Sequence, residues 1–342
     1  MLARVAERLY WMARYVERAE SLSRMLIVHT NMILDLPKGS QLSWQTAIEI
    51  TGNELDYLER YDQFSESGVM QYLISDIDNQ ASIASNLRMA RENIRTSREV
   101  VPADLWEIIN QLYLSIRQNQ APARSDRYHY LQDVVNNCQR LTGVIDGCMS
   151  RNIGYQFIEL GRNIERTDMT TRIIDTGVSR LLSDVGQLDT PIIERYESLL
   201  WMSVLQSLSA YQMYRLSVAD RVNSDDVIQF LLVDDNFPRS VLFCLYELER
   251  AISGLSKNED SLRTVVAIKR LILNQDLEDV QSAYLHDLVD KIQAELAQLG
   301  NTISETWFLS SIEQTQTQSE EYPVPGSYQS QTAGNSRQSQ IT

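Results

Sequence analysis

Five charged residues crowd into positions 14–24, as Arg14, Glu17, Arg18, Glu20 and Arg24. The same pattern returns as Arg162, Glu165, Arg166, Asp168 and Arg172, at an offset of 162 − 14 = 148 residues. Guanidinium groups are permanently charged planar forks that grip a carboxylate or phosphate through two parallel N–H bonds. Carboxylates beside them can accept protons or hold an amine. The chemistry on offer is therefore anion capture coupled to acid–base work. At about 100° per residue, Glu20 falls on the apolar face set by Val5, Leu9, Met12 and Val16, where an unpaired carboxylate is costly. Arg24 is four residues on and within reach of it. In the second copy Leu160, Ile164 and Thr171 set the face, Asp168 lies at its edge, and Arg172 follows four residues later. Glu17, Glu20, Glu165 and Asp168 are thus candidate catalytic groups, and Arg14, Arg18, Arg24, Arg162, Arg166 and Arg172 candidate anion-binding groups. The same spacing also suits a buried salt-bridge network that fixes helix register, or solvated faces laced by i,i+4 pairs. Spacing alone does not choose between these.

A second positive strip runs through Arg88, Arg91, Arg95 and Arg98, with Glu92 and Glu99 weakening it. Arg91 and Arg95 lie one turn apart and join the anion-binding candidates; an exposed face paired with acidic neighbours explains the strip equally well. Ser82 and Ser240 follow Asp/Asn-rich turns and precede apolar runs, the setting of helix N-caps. As a nucleophile Ser82 would need a base that only a tertiary contact, for instance with His129, could bring. Trp11, Trp44, Trp106, Trp201 and Trp307 read as core or interface anchors. His29, His129 and His286 form no Glu-x-x-His pair and no other metal-ligand spacing, so no metal site is expected. No phosphate loop, zinc signature or triad order is present, and no cofactor is predicted in this chain.

These groups must be positioned by helices. Leu2, Val5, Leu9, Met12, Val16 and Ala19 make one apolar stripe at spacings of three and four. Similar stripes cover about 43–60, 80–99, 103–118, 126–150, 155–183, 191–218, 239–254, 260–274 and 277–308, with shorter pieces near 67–75 and 225–233. No stretch alternates with period two long enough for a sheet, so the chain reads as all-α. Pro102 and Pro191 suit first helical turns, where a missing N–H costs nothing.

Two further matches follow the charged motif in order. Trp44 corresponds to Trp201 at an offset of 157, and Asp76-x-Asp78-x-x-x-Ser82 to Asp234-x-Asn236-x-x-x-Ser240 at 158. Three ordered matches predict an internal duplication: a pseudo-two-fold helical bundle with halves of about 1–150 and 151–310 forming one domain. The segment 311–342 is rich in Gln, Ser and Thr, has little to bury, and is expected to be disordered.

Composition narrows the partners. The 342-residue chain is 43% hydrophobic with a net charge of −15, which disfavours nucleic acid and anionic lipid. No apolar run is long enough to span a bilayer. Arg4, Glu7 and Arg8 inside the first apolar stretch argue against a cleaved signal peptide. Cys138, Cys148 and Cys244 are odd in number and lack a C-x-x-C, as expected of reduced thiols in a cytoplasmic protein. Self-association into a homo-oligomer is left open.

The opening MLARVAERLYWMARYVERAE, the segment SIASNLRMARENIRTSREVVPADLWEIIN at 82–110, FIELGRNIERTD at 157–168 and NFPRSVLFCL at 236–245 together resemble the bacterial alpha-E domain family. The resemblance covers about residues 1–310; Gln80-Ala81 before Ser82 departs from the Pro238-Arg239 that precedes Ser240. It implies an all-helical protein associated with circularly permuted ATP-grasp ligases and transglutaminase-like proteins. ATP and Mg would then sit on the partner ligase, and this chain would serve a system that makes or processes peptide or amide bonds. Its role there would be that of an accessory or substrate-binding partner of the ligase, or of an enzyme using the duplicated acid–Arg centre for amide or acyl-transfer chemistry.

Overall fold

The computed structural model describes residues 1–35, 43–118, 124–184, 190–218, 221–274 and 282–309, excluding the side chains of 35, 178–184, 190–196 and 282–283. Fourteen α-helices and no strand occur among the described residues. The first seven are α1 (Ala3–Asp35), α2 (Gln45–Thr51), α3 (Glu54–Leu58), α4 (Glu66–Met70), α5 (Ile83–Arg95), α6 (Ala103–Gln118) and α7 (Arg127–Cys148). The next are α8 (Ile153–Asp184), α9 (Thr190–Ser207), α10 (Tyr211–Ser217), α11 (Ser224–Val233), α12 (Val241–Ser253), α13 (Glu259–Leu273) and α14 (Ser282–Ile303). The expected tail, 311–342, lies outside the described residues.

The apolar stripe of α1 is buried along Val5, Leu9, Met12, Val16 and Ala19, and continues through Leu22 and Leu26. Each such side chain withdrawn from water contributes roughly 1.5–3 kcal/mol. α8 buries Ile158, Leu160, Ile164 and Ile174 against it, so the two longest helices form the spine of one continuous core. Around α1 pack α5 and α7; around α8 pack α12 and α14; α6 bridges α5 and α7, and α13 bridges α12 and α14.

Two expected helices are interrupted. The 43–60 stripe breaks at Gly52, whose φ of +69° gives α2 a left-handed C-cap that donates to Glu49 O. The 191–218 stripe breaks at Ser209, also left-handed at φ +54°, between α9 and α10. Each follow-on helix keeps one aromatic in the core, Tyr57 in α3 and Tyr214 in α10, while Leu55 and Leu216 continue the apolar spacing from exposed positions, so the pattern cannot report the breaks.

The two Ser turns have one geometry. Ser82 (φ −64°, ψ 153°) accepts from Ser85 N at 3.1 Å, and Ser240 (φ −69°, ψ 152°) accepts from Phe243 N at 3.2 Å. Asp76 Oδ1 takes the N–H of Asp78 at 2.9 Å, as Asp234 Oδ1 takes that of Asn236 at 2.9 Å. Ser82 N donates to Asn79 O and Ser240 N to Phe237 O, both at 3.0 Å. The substitution of Gln80-Ala81 for Pro238-Arg239 leaves the cap torsions and these bonds in place, although Ala81 N donates to Asn79 Oδ1 in the first turn alone and Ser240 Oγ to Asp234 O in the second alone.

Candidate functional site

α1 and α8 run side by side in one direction. Gly161 lies against Tyr10, and a Cβ at Gly161 would fall well inside van der Waals contact with the Tyr10 carbonyl oxygen. Pairs in contact keep a near-constant separation: Tyr10 with Gly161 (151), Arg14 with Glu165 (151), Arg18 with Glu165 (147) and Glu17 with Arg166 (149). These separations bracket the 148-residue offset of the charged motif, so each copy of the motif faces the other.

The facing copies exchange charges. Glu165, fully buried, accepts from Arg14 Nε at 2.8 Å and from Arg18 Nε and Nη2 at 2.5 and 2.9 Å. Glu17, 2% exposed, is in ion-pair contact with Arg166 Nε at 3.0 Å and accepts from Arg239 Nη1 at 2.5 Å. Glu20 accepts from Arg24 Nη2 at 2.9 Å and from Arg239 Nη2 at 3.0 Å. Burial opposes the charge on Glu17, but Arg166 and Arg239 outweigh it and hold its pKa down at about 2. Glu165 is shifted the same way, with Arg18 and then Arg14 overcoming its burial. Carboxylates so held, with their oxygens occupied by guanidinium groups, bind helices together and are poor proton acceptors at neutral pH.

The remaining residues of the motifs part company. Arg162, the counterpart of Arg14, turns away to Asp146 at 3.1 Å and Glu159 at 3.0 Å. Asp168 meets Arg172 Nε through Oδ2 at 3.0 Å, as the i,i+4 spacing requires. Asp168 Oδ1 and the Arg172 Nη1 and Nη2 groups have no hydrogen-bond partner among the described residues.

Asp168 and Arg172 line a half-open cavity of about 440 Å³. Arg18, Asp56, Asp78 and Ala81 share its wall, with Leu22, Ile50 and Met169 as apolar lining. Asp56 is fixed by Tyr72 OH at 2.6 Å and Arg60 at 2.8 Å; the Tyr72 bond is the main cause of its lowered pKa. Glu20 is absent from the lining, so the expected interior pocket joining Glu20 to Asp168 is instead a closed network on the Glu20 side and an open cavity on the Asp168 side. Free carboxylate and guanidinium edges in one cavity can hold a ligand that carries both signs of charge.

Arg91 and Arg95 lie elsewhere. Arg91 bonds Asn110 at 2.8 Å and lies over the Trp106 and Tyr113 rings, Arg98 lies 3.7 Å from the Trp106 ring centroid, and Arg95 pairs with Glu92 at 2.6 Å. The strip is taken up by the aromatic face of α6 and by its own glutamate. Ser82 and Ser240 are buried caps. Cys244, buried beside the network, has its thiol pushed up to about 12 by that burial. Sequence spacing shows no metal site, yet α8 and α14 bring Asp175, His286 and Asp290 together, with ligand atoms within 4.8 Å of one another. His286 Nδ1 is already hydrogen-bonded to Asp175 at 2.6 Å.

Arg239, which completes the network, is absent from the sequence-based candidates; so are Asp56 and Asp78. A turn residue before a cap carries no periodic signal. The one clue to Arg239 is its position in the second turn, where the first has Ala81.

A family model described as "A predicted alpha-helical domain with a conserved ER motif" matches residues 1–308. The chain belongs to the Alpha-E family. Of the six Glu-Arg dipeptides in this Alpha-E chain, Glu17-Arg18 and Glu165-Arg166 are the two, among the described side chains, that trade partners between helices. Similar curated proteins are "Uncharacterized protein Mb2597" of Mycobacterium bovis, 22% identical over 324 residues, and "Uncharacterized protein Rv2567" of Mycobacterium tuberculosis, 21% identical over 324 residues. Each alignment covers 86% of this chain and 34% of the relative, so the Alpha-E chain spans about a third of their length. No solved structure matches it. No described helix is long and apolar enough to cross a membrane.

Proposed function

We propose that this Alpha-E protein is the substrate-binding component of an ATP-grasp-linked system that makes or processes peptide or amide bonds. It works in the cytoplasm beside the ligase and a transglutaminase-like protein, and ATP and Mg belong to the ligase. The observation that carries this reading is the cavity in which Asp168 and Arg172 keep unpaired polar atoms on one wall. A substrate of such a system carries amine and carboxylate groups, and this cavity offers a partner to each. We read the recurrence of helix order, Ser turns and exchanged ion pairs as an internal duplication, in which one half closed its network and the other kept it open.

Asp168 also favours a second reading, an enzyme for amide or acyl-transfer chemistry. Among the described residues it is the one candidate carboxylate with an unbonded oxygen in the cavity, and it would act as the base.

The test is co-purification of the ligase with the native protein, followed by ligase assays with Asp168→Asn and Arg172→Ala. Folded variants that still bind the ligase but lower product formation support substrate binding. A ligase that runs at full rate alone and never co-purifies removes the accessory role. Turnover by the purified chain without any ligase, lost in Asp168→Asn, favours the enzyme.

A further inference from the structure

The two Ser turns deliver different residues to equivalent places. In the second half, the residue before the cap is Arg239, whose guanidinium spans Glu17 at 2.5 Å and Glu20 at 3.0 Å on α1. Its backbone is pinned to α8, where Thr170 Oγ1 donates to Arg239 O at 2.9 Å. In the first half the residue before the cap is Ala81. The two cap serines share their torsions, and Ser82 N and Ser240 N bond equivalent carbonyls, so Ala81 stands in its turn where Arg239 stands in the other. Opposite Ala81 stand the counterparts of Glu17 and Glu20, which are Glu165 and Asp168. All three line the cavity. The space that Arg239 fills in one half is therefore empty in the other.

The charges around that space are unbalanced in the way the missing arginine would correct. Glu165 has recruited Arg14 in addition to Arg18 and is saturated. Asp168 has one arginine, Arg172, where its counterpart Glu20 has two, Arg24 and Arg239. Asp78 shares the wall with no guanidinium on its carboxylate among the described residues, whereas Asp56 already holds Arg60. We infer that the cavity takes a small molecule bearing a guanidinium group, which binds Asp168 in the position that Arg239 occupies in the other half. The molecule's anionic end meets the free Nη groups of Arg172. This deepens the substrate-binding reading above and rests on it.

Calorimetric titration of the full chain with L-arginine, its uncharged isostere L-citrulline, and L-glutamate tests the assignment. Arginine is expected to bind wild type at least about tenfold more tightly than citrulline, and to lose that advantage in Asp168→Asn, because a charge-assisted hydrogen bond is removed in each case. Ala81→Arg supplies the missing guanidinium in cis. It is expected to raise Tm by about 2 °C or more and to abolish arginine binding. If Ala81→Arg fails to fold, the loss of arginine preference in Asp168→Asn decides. Citrulline or glutamate binding as tightly as arginine, or undiminished arginine binding by a folded Ala81→Arg protein, overturns the inference while leaving the cavity as a ligand site. No binding of any of the three, with ligase output unaffected by Asp168→Asn and Arg172→Ala, overturns the inference and the substrate-binding reading together.

Discussion

Glu17 on α1 contacts Arg166 on α8 at 3.0 Å, while the residues beside them in sequence, Arg18 and Glu165, make the reverse pair at 2.5 Å. Each helix thus gives its carboxylate to the other and takes back a guanidinium. Reciprocity of this kind arises when two copies of one motif face each other across parallel helices at matched height. It makes the register of the spine a matter of charge as well as packing, since sliding α8 by one turn would take Arg166 from Glu17 and move Glu165 out of its seat between Arg14 and Arg18.

Removal of one carboxylate should therefore cost far more than a surface pair would. Glu17→Gln leaves Arg166 and Arg239 buried against a neutral amide, and Glu165→Gln does the same to Arg14 and Arg18. Each is expected to destabilise the fold by about 3–5 kcal/mol, measured as a shift in urea midpoint. A loss below about 1 kcal/mol would show that the network contributes no more than exposed pairs do.

The cavity side should behave oppositely. The Asp168–Arg172 pair has side chains 19% and 33% exposed, so water already screens it. Asp168→Asn and Arg172→Ala are expected to cost less than about 1 kcal/mol each by urea unfolding. A loss as large as that of Glu17→Gln would place Asp168 in the structural network.

Much of this was legible beforehand, and the limits have physical causes. Glu20, Arg24, Asp168 and Arg172 declare themselves because i,i+4 geometry within a helix is local. Glu17-Arg18 and Glu165-Arg166 are visible as a repeat, but their exchange requires α1 and α8 to be parallel and in register, which only the Gly161 contact and the assembled core determine. Arg239 and Ala81 are illegible in isolation, since a side chain that fills a gap and one that leaves it open occupy the same turn. Arg91 misleads because the Trp106 and Tyr113 faces that absorb its charge lie on another helix.

The buried carboxylates also set an acid limit on stability. The Glu17 pKa is near 2 in the fold, below the ordinary glutamate value of about 4.3. A depressed pKa means that the folded protein binds the proton less readily than the unfolded chain. Its stabilisation is complete above roughly pH 5 and is lost as pH falls toward about 2. Glu165 is shifted in the same direction and adds to the same limb. Urea midpoints measured from pH 6 downward should decline through this window, and the decline should be shallower in Glu17→Gln. An identical slope in the two proteins would assign acid sensitivity to other carboxylates.

Close approach of the spine helices depends on Gly161. An added methyl there meets the Tyr10 carbonyl and the Ala13 side chain, and backbone cannot swing aside as a flexible side chain would. Gly161→Ala gains helix propensity of about 1 kcal/mol in an isolated helix. In this protein it should instead destabilise by roughly 1–3 kcal/mol, because α1 and α8 must separate. The same separation stretches the Arg14–Glu165 and Arg18–Glu165 bonds one turn along. The acid limb should therefore be shallower in Gly161→Ala, as the arginines that depress the Glu165 pKa withdraw and less of its stabilisation remains to be lost. Thermal unfolding of this variant at pH 7 and pH 4 tests both effects; equal or raised stability would mean that the helices do not meet as closely as their backbones here require.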